Sequence, residues 1–146
     1  MITESDVEYL AVLAVYRTWL VTGDDAWLEL QLPAVDRALA YLHDSPLRWS
    51  AEQQCVLRAH TCDTWDFSIY DGDRYTEATP KVASLCDQTG YYQALCARAA
   101  IEEQRPGGDA LKAQELREQA ERFRALTAAR LWDGEKFQHH LHLDRF

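Results

Sequence analysis

The sequence predicts an all-α protein of antiparallel helical hairpins, with a long aromatic and acidic loop and a short terminal β-hairpin. Three observations predict it. Two segments, one from Val7 and one running through Val82, are apolar on nearly every side, as helices buried among other helices are. Each ends in a turn signal, Thr22-Gly23-Asp24 or Arg105-Pro106-Gly107-Gly108-Asp109. Behind each turn comes a segment with one apolar face. Buried helix, turn, amphipathic helix: the order occurs twice.

The first hairpin spans residues 5–44. Ser5-Asp6-Val7-Glu8 reads as a capping box, Ser5 and Glu8 satisfying each other's orphan amides. Gly23 offers the left-handed conformation that ends a helix, and Asp24 or Asp25 caps the next. Trp27, Leu28, Leu32, Val35, Leu39 and Leu42 mark the apolar face of that second helix. Pro33 lacks an N–H, so the spacing predicts a kink there, or a restart with Pro33 as first helical residue.

Residues 45–78 lose the helical period, and Pro46, Trp49, the run from Asp63 to Phe67 and Asp71-Gly72-Asp73 predict an ordered connection. Loops that long inside a domain usually have work to do. The second hairpin spans 79–131, with Thr79-Pro80 as N-cap and first helical residue and Gly90 as an interruption. Its outer helix, from about Ala110 to Leu131, alternates apolar and charged residues, Glu118 and Arg122 among them, and the charged run reads as a solvated face. In the tail, 132–146, Trp132-Asp133-Gly134 begins a hairpin turn.

A chain of 146 residues suits one domain, and 47% hydrophobic content excludes a largely disordered one. The net charge of −9 argues against nucleic acid and anionic membrane surfaces as partners. No apolar run reaches the ~20 residues that cross a bilayer, and no signal peptide is visible, so a soluble, cytoplasmic protein is expected. Cys55, Cys62, Cys86 and Cys96 lack metal or redox spacing and read as reduced, mostly buried thiols. Two hairpins cannot cover their inner helices, so further hairpins are expected on a longer parent or a partner, with self-association through the exposed inner helices.

The densest chemical signal is Thr61-Cys62-Asp63-Thr64-Trp65-Asp66-Phe67-Ser68. Two carboxylates three residues apart flank an indole, with Tyr70 and Tyr75 nearby. Sugars present C–H faces that stack on indoles and hydroxyls that need carboxylate acceptors, so the group suits a carbohydrate partner. A carboxyl desolvated by an indole has reason to stay protonated near neutral pH and donate to a glycosidic oxygen. The plainer reading makes Trp65 and Phe67 core plugs and the two aspartates turn formers.

The doubled hairpins, Thr22-Gly23-Asp24 followed by Trp27-Leu28 and Leu32-Pro33, the Thr64-to-Ser68 motif and Leu131-Trp132-Asp133-Gly134 together resemble the six-hairpin, (α/α)6-toroid glycosidases. Within them the resemblance is to the trehalase, processing α-glucosidase and glycogen-debranching glucosidase group. Trehalases carry E-S-G-W-D-F-S-S-R at the toroid mouth, where the Asp is the general acid. Trp65, Asp66, Phe67 and Ser68 match that stretch. The resemblance implies Asp66 as proton donor and a substrate-binding set of Trp65, Asp63, Tyr70 and Phe67. Asp63 stands where that family has Glu, Thr64 replaces Gly, and Ile69-Tyr70 replaces Ser-Arg, so the contact of that Arg is not carried over. The chain corresponds to about two of the six hairpins.

These relatives invert the anomeric centre, which needs a second carboxylate about 6.5–9.5 Å from the acid. Glu77, Glu102 and Glu103 follow Asp66, but no motif selects one, and the general base is expected to lie outside this chain. No cofactor is expected, since acid and base supply the chemistry. His139, His140 and His142 with Asp144, or Cys55, His60 and Cys62, are weaker metal-ligand patterns. Tyr91-Tyr92 either packs or faces a sugar cleft. The rival reading is a non-catalytic, α-solenoid-like hairpin module that binds a protein partner.

Overall fold

The chain reverses where its turn residues direct it, and the helices between form two hairpins. The computed structural model of the protein describes residues 6–58 and 81–143. In chain order these form α1 (Val7–Thr22), α2 (Asp25–Asp44), β1 (Trp49–Ser50), β2 (Cys55–Val56), β3 (Val82–Ser84), α3 (Leu85–Gln104), α4 (Ala110–Leu131) and β4 (His140–His142). The described residues are mostly helical. Two small antiparallel sheets, β1–β2 and β3–β4, complete them.

Gly23 takes φ 65° and donates its N–H to Trp19 O, closing α1. One residue on, the Asp24 carboxylate accepts from Trp27 N at 2.9 Å and opens α2. At the second turn Asp109 accepts from the amides of Leu111 and Lys112, both at 3.0 Å, and opens α4. Side-chain acceptors here satisfy amides that the helix cannot satisfy itself.

The helices lie in two layers. Tyr9 meets Asp87 and Gly90 near the start of α3, while Trp19 shares a cluster with Ile101 near its end, so α1 and α3 run parallel. Glu29 meets Arg105, and Asp36 reaches both Arg98 and Lys112, so α2 and α4 run parallel beside each other in the second layer. Val12, Leu13, Val35, Leu39, Leu42, Tyr91, Leu95 and Phe123 form the main core between the layers. Tyr91 stacks edge-on against Phe123 at 4.9 Å and Trp49 at 5.8 Å, so it packs rather than facing a cleft.

Several sequence expectations are corrected. Ser5, half of the expected capping box, lies outside the described residues; Asp6 is the N-cap of α1 without a side-chain bond, and the Glu8 carboxylate pairs with Arg48. Pro33 neither starts nor ends a helix; α2 runs through it, held by Leu28 and Leu32 before and Val35 and Leu39 after. The inner helix of the second hairpin starts at Leu85 rather than Thr79-Pro80, since 82–84 pair as β3 with β4. That pairing also corrects the terminal hairpin. Trp132 and Phe137 bridge as the turn predicts, but the strand beyond returns to the middle of the chain. Part of the expected loop, from Trp49 to Val56, is the β1–β2 ribbon.

Gly90 does not interrupt α3. It is the position where the Tyr9 ring lies against the helix. The charged face of α4 is only partly free, as Lys112 binds Asp36 and Arg117 binds Glu103. Cys55 is buried, Cys96 half-buried and Cys86 exposed, all three as free thiols, so burial of the thiols holds only in part. Among the described residues no helix is long and apolar enough to cross a membrane.

Candidate functional site

Asp63, Trp65, Asp66, Phe67 and Tyr70 lie outside the described residues, as do His60, Cys62, Glu77 and Asp144. The two ends of the segment that carries the first five are described, and they meet. Arg58 N donates to Val82 O at 2.7 Å, joining the residue before the segment to the strand after it. Leu57 N bonds Arg48 O at 2.7 Å, and Leu143 N bonds Lys81 O at 2.8 Å. Leu85 N bonds His139 O at 2.9 Å. Both ends therefore join at the N-terminal end of α3.

Beneath this junction lies a buried polar group. Asp87 occupies the first turn of α3, where a carboxylate complements the helix dipole. It is wholly inaccessible to solvent. Its Oδ2 accepts from Arg58 Nη1 at 3.1 Å, and its Oδ1 accepts from the Tyr9 hydroxyl at 3.3 Å. Burial pushes the Asp87 carboxyl up to about 6, against the opposing pull of Arg58 and Arg48. The Tyr9 phenol rises too, through burial and the Asp87 charge.

A second buried pair lies alongside. Arg48, inaccessible to solvent, donates from Nε to Glu8 Oε1 at 3.2 Å and from Nη1 to Leu57 O. Gln88, one residue beyond Asp87, donates to Val56 O at 2.7 Å and to Ser84 O at 3.1 Å. It also accepts from Val56 N at 2.9 Å. A glutamine amide thus completes the backbone pairing of a two-residue strand that has β1 as its one strand neighbour among the described residues. Ser84 Oγ is buried and has no partner among the described residues.

Sequence reasoning passed over Asp87, Gln88, Arg48 and Arg58. The available signal was an Asp-Gln pair inside an otherwise small and apolar helix, because a charge in such a helix needs a buried partner. It did weigh Glu102 and Glu103, and the structure engages both elsewhere. Glu102 is buried and bonds Arg98, Arg105 and the Asp109 amide, while Glu103 pairs with Arg117 at 2.8 Å. Fifteen residues of helix separate Glu102 from Asp87, about 22 Å at 1.5 Å per residue.

His139 and His140 lie with their Nδ1 atoms 3.1 Å apart, and the His140 and His142 rings are 5.1 Å apart between centroids. Among the described residues no three His, Cys, Asp or Glu side chains converge as a metal centre would require. No family model, no curated protein and no solved structure matches the chain.

Proposed function

We propose that this chain is part of a glycoside hydrolase of the six-hairpin, (α/α)6-toroid kind, which cleaves a glucoside-like O-glycosidic bond by single displacement. Asp66 is the general acid and protonates the departing oxygen. Water enters from the opposite face of the sugar, activated by a base that the parent protein supplies from outside this chain. Trp65, Phe67 and Tyr70 offer apolar surface to the sugar ring, and Asp63 binds a hydroxyl or raises the Asp66 pKa by like-charge repulsion.

One observation carries the reading. The segment bearing the Trp65-Asp66 motif leaves and returns at a single paired junction, Arg58 N to Val82 O, at the end of two parallel inner helices. Loops held at one end of a rigid helical scaffold are where such scaffolds build ligand sites. The engagement of Glu102 and Glu103 with arginines supports assigning the base elsewhere.

The test is quenching of tryptophan fluorescence by trehalose and maltose in the wild type, Asp66→Asn and Trp65→Ala. The reading expects sugar-dependent quenching in the wild type that Trp65→Ala abolishes, with altered affinity in Asp66→Asn. Fluorescence indifferent to sugar in all three would favour the second reading, a hairpin module that binds a protein. That reading draws on the exposed apolar face of α1, where Val7 is 55%, Leu10 49% and Val21 86% exposed.

A further inference from the structure

We infer that the hollow between the end of α2, the β1–β2 turn and α4 is a binding site for a small aromatic carboxylate. Such a site is independent of the glycosidase reading, because its residues belong to elements other than the segment that carries Asp66. Gln119, Arg122, Phe123 and Leu126 follow one another at helical spacing and bring one face of α4 to the hollow. His43 comes from the last turn of α2, Trp49 opens β1, and Gln54 ends the turn before β2. Arg130 Nη1 donates to Gln54 O at 3.4 Å and ties that turn back to α4.

Size and surface select a single ring. The hollow measures about 190 Å³. An apolar cavity of about 150 Å³ takes up benzene, so this one admits a six-membered ring with a small polar group. Phe123 is buried and Trp49 half-buried, with ring centroids 6.0 Å apart at 29°. The His43 ring continues the stack, 4.8 Å from Trp49. These rings offer a flat ligand aromatic contact at the base.

The rim selects an anion. Arg122 is exposed, and its ion pair with Glu118 is 3.8 Å long, beyond hydrogen-bond length, so the guanidinium keeps its donors for another acceptor. Gln119 gives one N–H to the Tyr91 hydroxyl at 3.0 Å, and Gln54 gives one to Ala51 O at 2.7 Å. Each of these amides has a second N–H. Among the described residues no carboxylate lines the hollow, although the chain has 24 acidic residues against 15 basic. A guanidinium receives a carboxylate through paired N–H bonds.

Two other ligand classes fit less well. An ammonium would meet Arg122 and no acid, and the rings lie against one another at 4.9–6.0 Å rather than around a gap. A sugar would find the aromatic base without a carboxylate to accept from its hydroxyls. Gln54 adds a separate sign of use. Among the described non-glycine residues it alone has a positive φ, 50°. Glycine would adopt that conformation without strain, whereas glutamine places an amide at the rim at a conformational cost.

The experiment titrates the full chain with sodium benzoate and follows the Trp49 indole N–H and the Gln54 and Gln119 side-chain amides by nitrogen-15 NMR. Saturable shifts are expected at these groups and at the backbone amides of 119–126. Benzamide, the same ring without the charge, should bind about tenfold more weakly, as loss of a hydrogen bond to a charged group implies. Arg122→Gln should weaken benzoate by about the same factor. Arg124→Gln, on the same helix and paired with Glu121, should stay within twofold. Both arginines are exposed, so neither variant should disturb folding. Glucose and benzylammonium should leave all of these resonances in place.

The absence of a saturable shift with benzoate, equal affinity for benzamide, or benzoate binding unchanged in Arg122→Gln would overturn the assignment. Saturable binding of glucose or benzylammonium at these resonances would overturn it as well, giving the hollow to a sugar or to a cation.

Discussion

A side-chain carbon at Gly90 would lie 2.5 Å from Cδ2 and Cε2 of the Tyr9 ring. The glycine in the middle of α3 is therefore a socket for an aromatic residue of α1. Alanine there gains about 1 kcal/mol of helix propensity but must displace a ring that is buried and bonded to Asp87. Overpacking of this kind costs about 1–3 kcal/mol. Gly90→Ala should lower stability to urea by a net of up to about 2 kcal/mol, and Tyr9→Leu in the same chain should recover part of it. A stabilised single variant would mean that the two inner helices do not meet here.

Asp87 should leave a mark on the pH dependence of folding. Its folded pKa, about 6, lies above the ordinary 3.8, so between these values the folded chain holds a proton that the unfolded chain releases. The associated stability is fully present below pH 3.8 and is lost as pH rises through 6. Two units correspond to about 3 kcal/mol. The stability of wild type minus that of Asp87→Asn should therefore fall by roughly 2–3 kcal/mol from pH 4 to 7. Urea unfolding at a series of pH values reads this directly; parallel profiles would contradict it.

Glu102 should behave in the opposite sense. Burial disfavours its charge, but the Asp109 amide, Arg105 and Arg98 outweigh burial and hold the carboxyl below the usual range. Its contribution is present above the unfolded pKa and is lost as pH falls through the folded one. Glu102→Gln should destabilise the chain by about 2–3 kcal/mol at pH 7, with the gap closing in acid. A gap that stays constant down to pH 3 would exclude the ion pairs as its source.

The outer face of α1 should make the chain self-associate. Val7, Leu10, Ala11, Ala14, Thr18 and Val21 recur at helical spacing on the exposed side, and Arg17 is the charge among them. Sedimentation should show mass rising with concentration, and Leu10→Lys with Val21→Lys should hold the chain monomeric. A monomer at every concentration would mean that this surface needs no cover.

The sequence was most legible where structure is local. Gly23, Asp24 and the Asp109 turn act on amides a few residues away, and each does what its chemistry predicts. It misled where distant partners intervene. Glu8 pairs with Arg48, forty residues on, and β3 exists because β4 pairs with it. Two-residue strands such as β2 carry no periodicity, and Val56 owes its bonds to a glutamine thirty-two residues away. Such contacts are fixed by the assembled layers, which no local pattern encodes. The chemistry proposed for Trp65 and Asp66 is a reading of the sequence alone, and the bond between Arg58 and Asp87 had no local pattern to announce it.

The proposed glycosidase rests on Asp66 being a carboxylic acid that keeps its proton near neutral pH. The direct measurement is a carbon-13 NMR titration of the Asp66 side-chain carboxyl in the full chain, compared with the same titration in Trp65→Ala. The account predicts a wild-type midpoint raised well above the ordinary carboxyl range, and a fall toward the ordinary ~3.9 when the indole is removed. A wild-type midpoint already at the ordinary value, indifferent to the loss of Trp65, would contradict it.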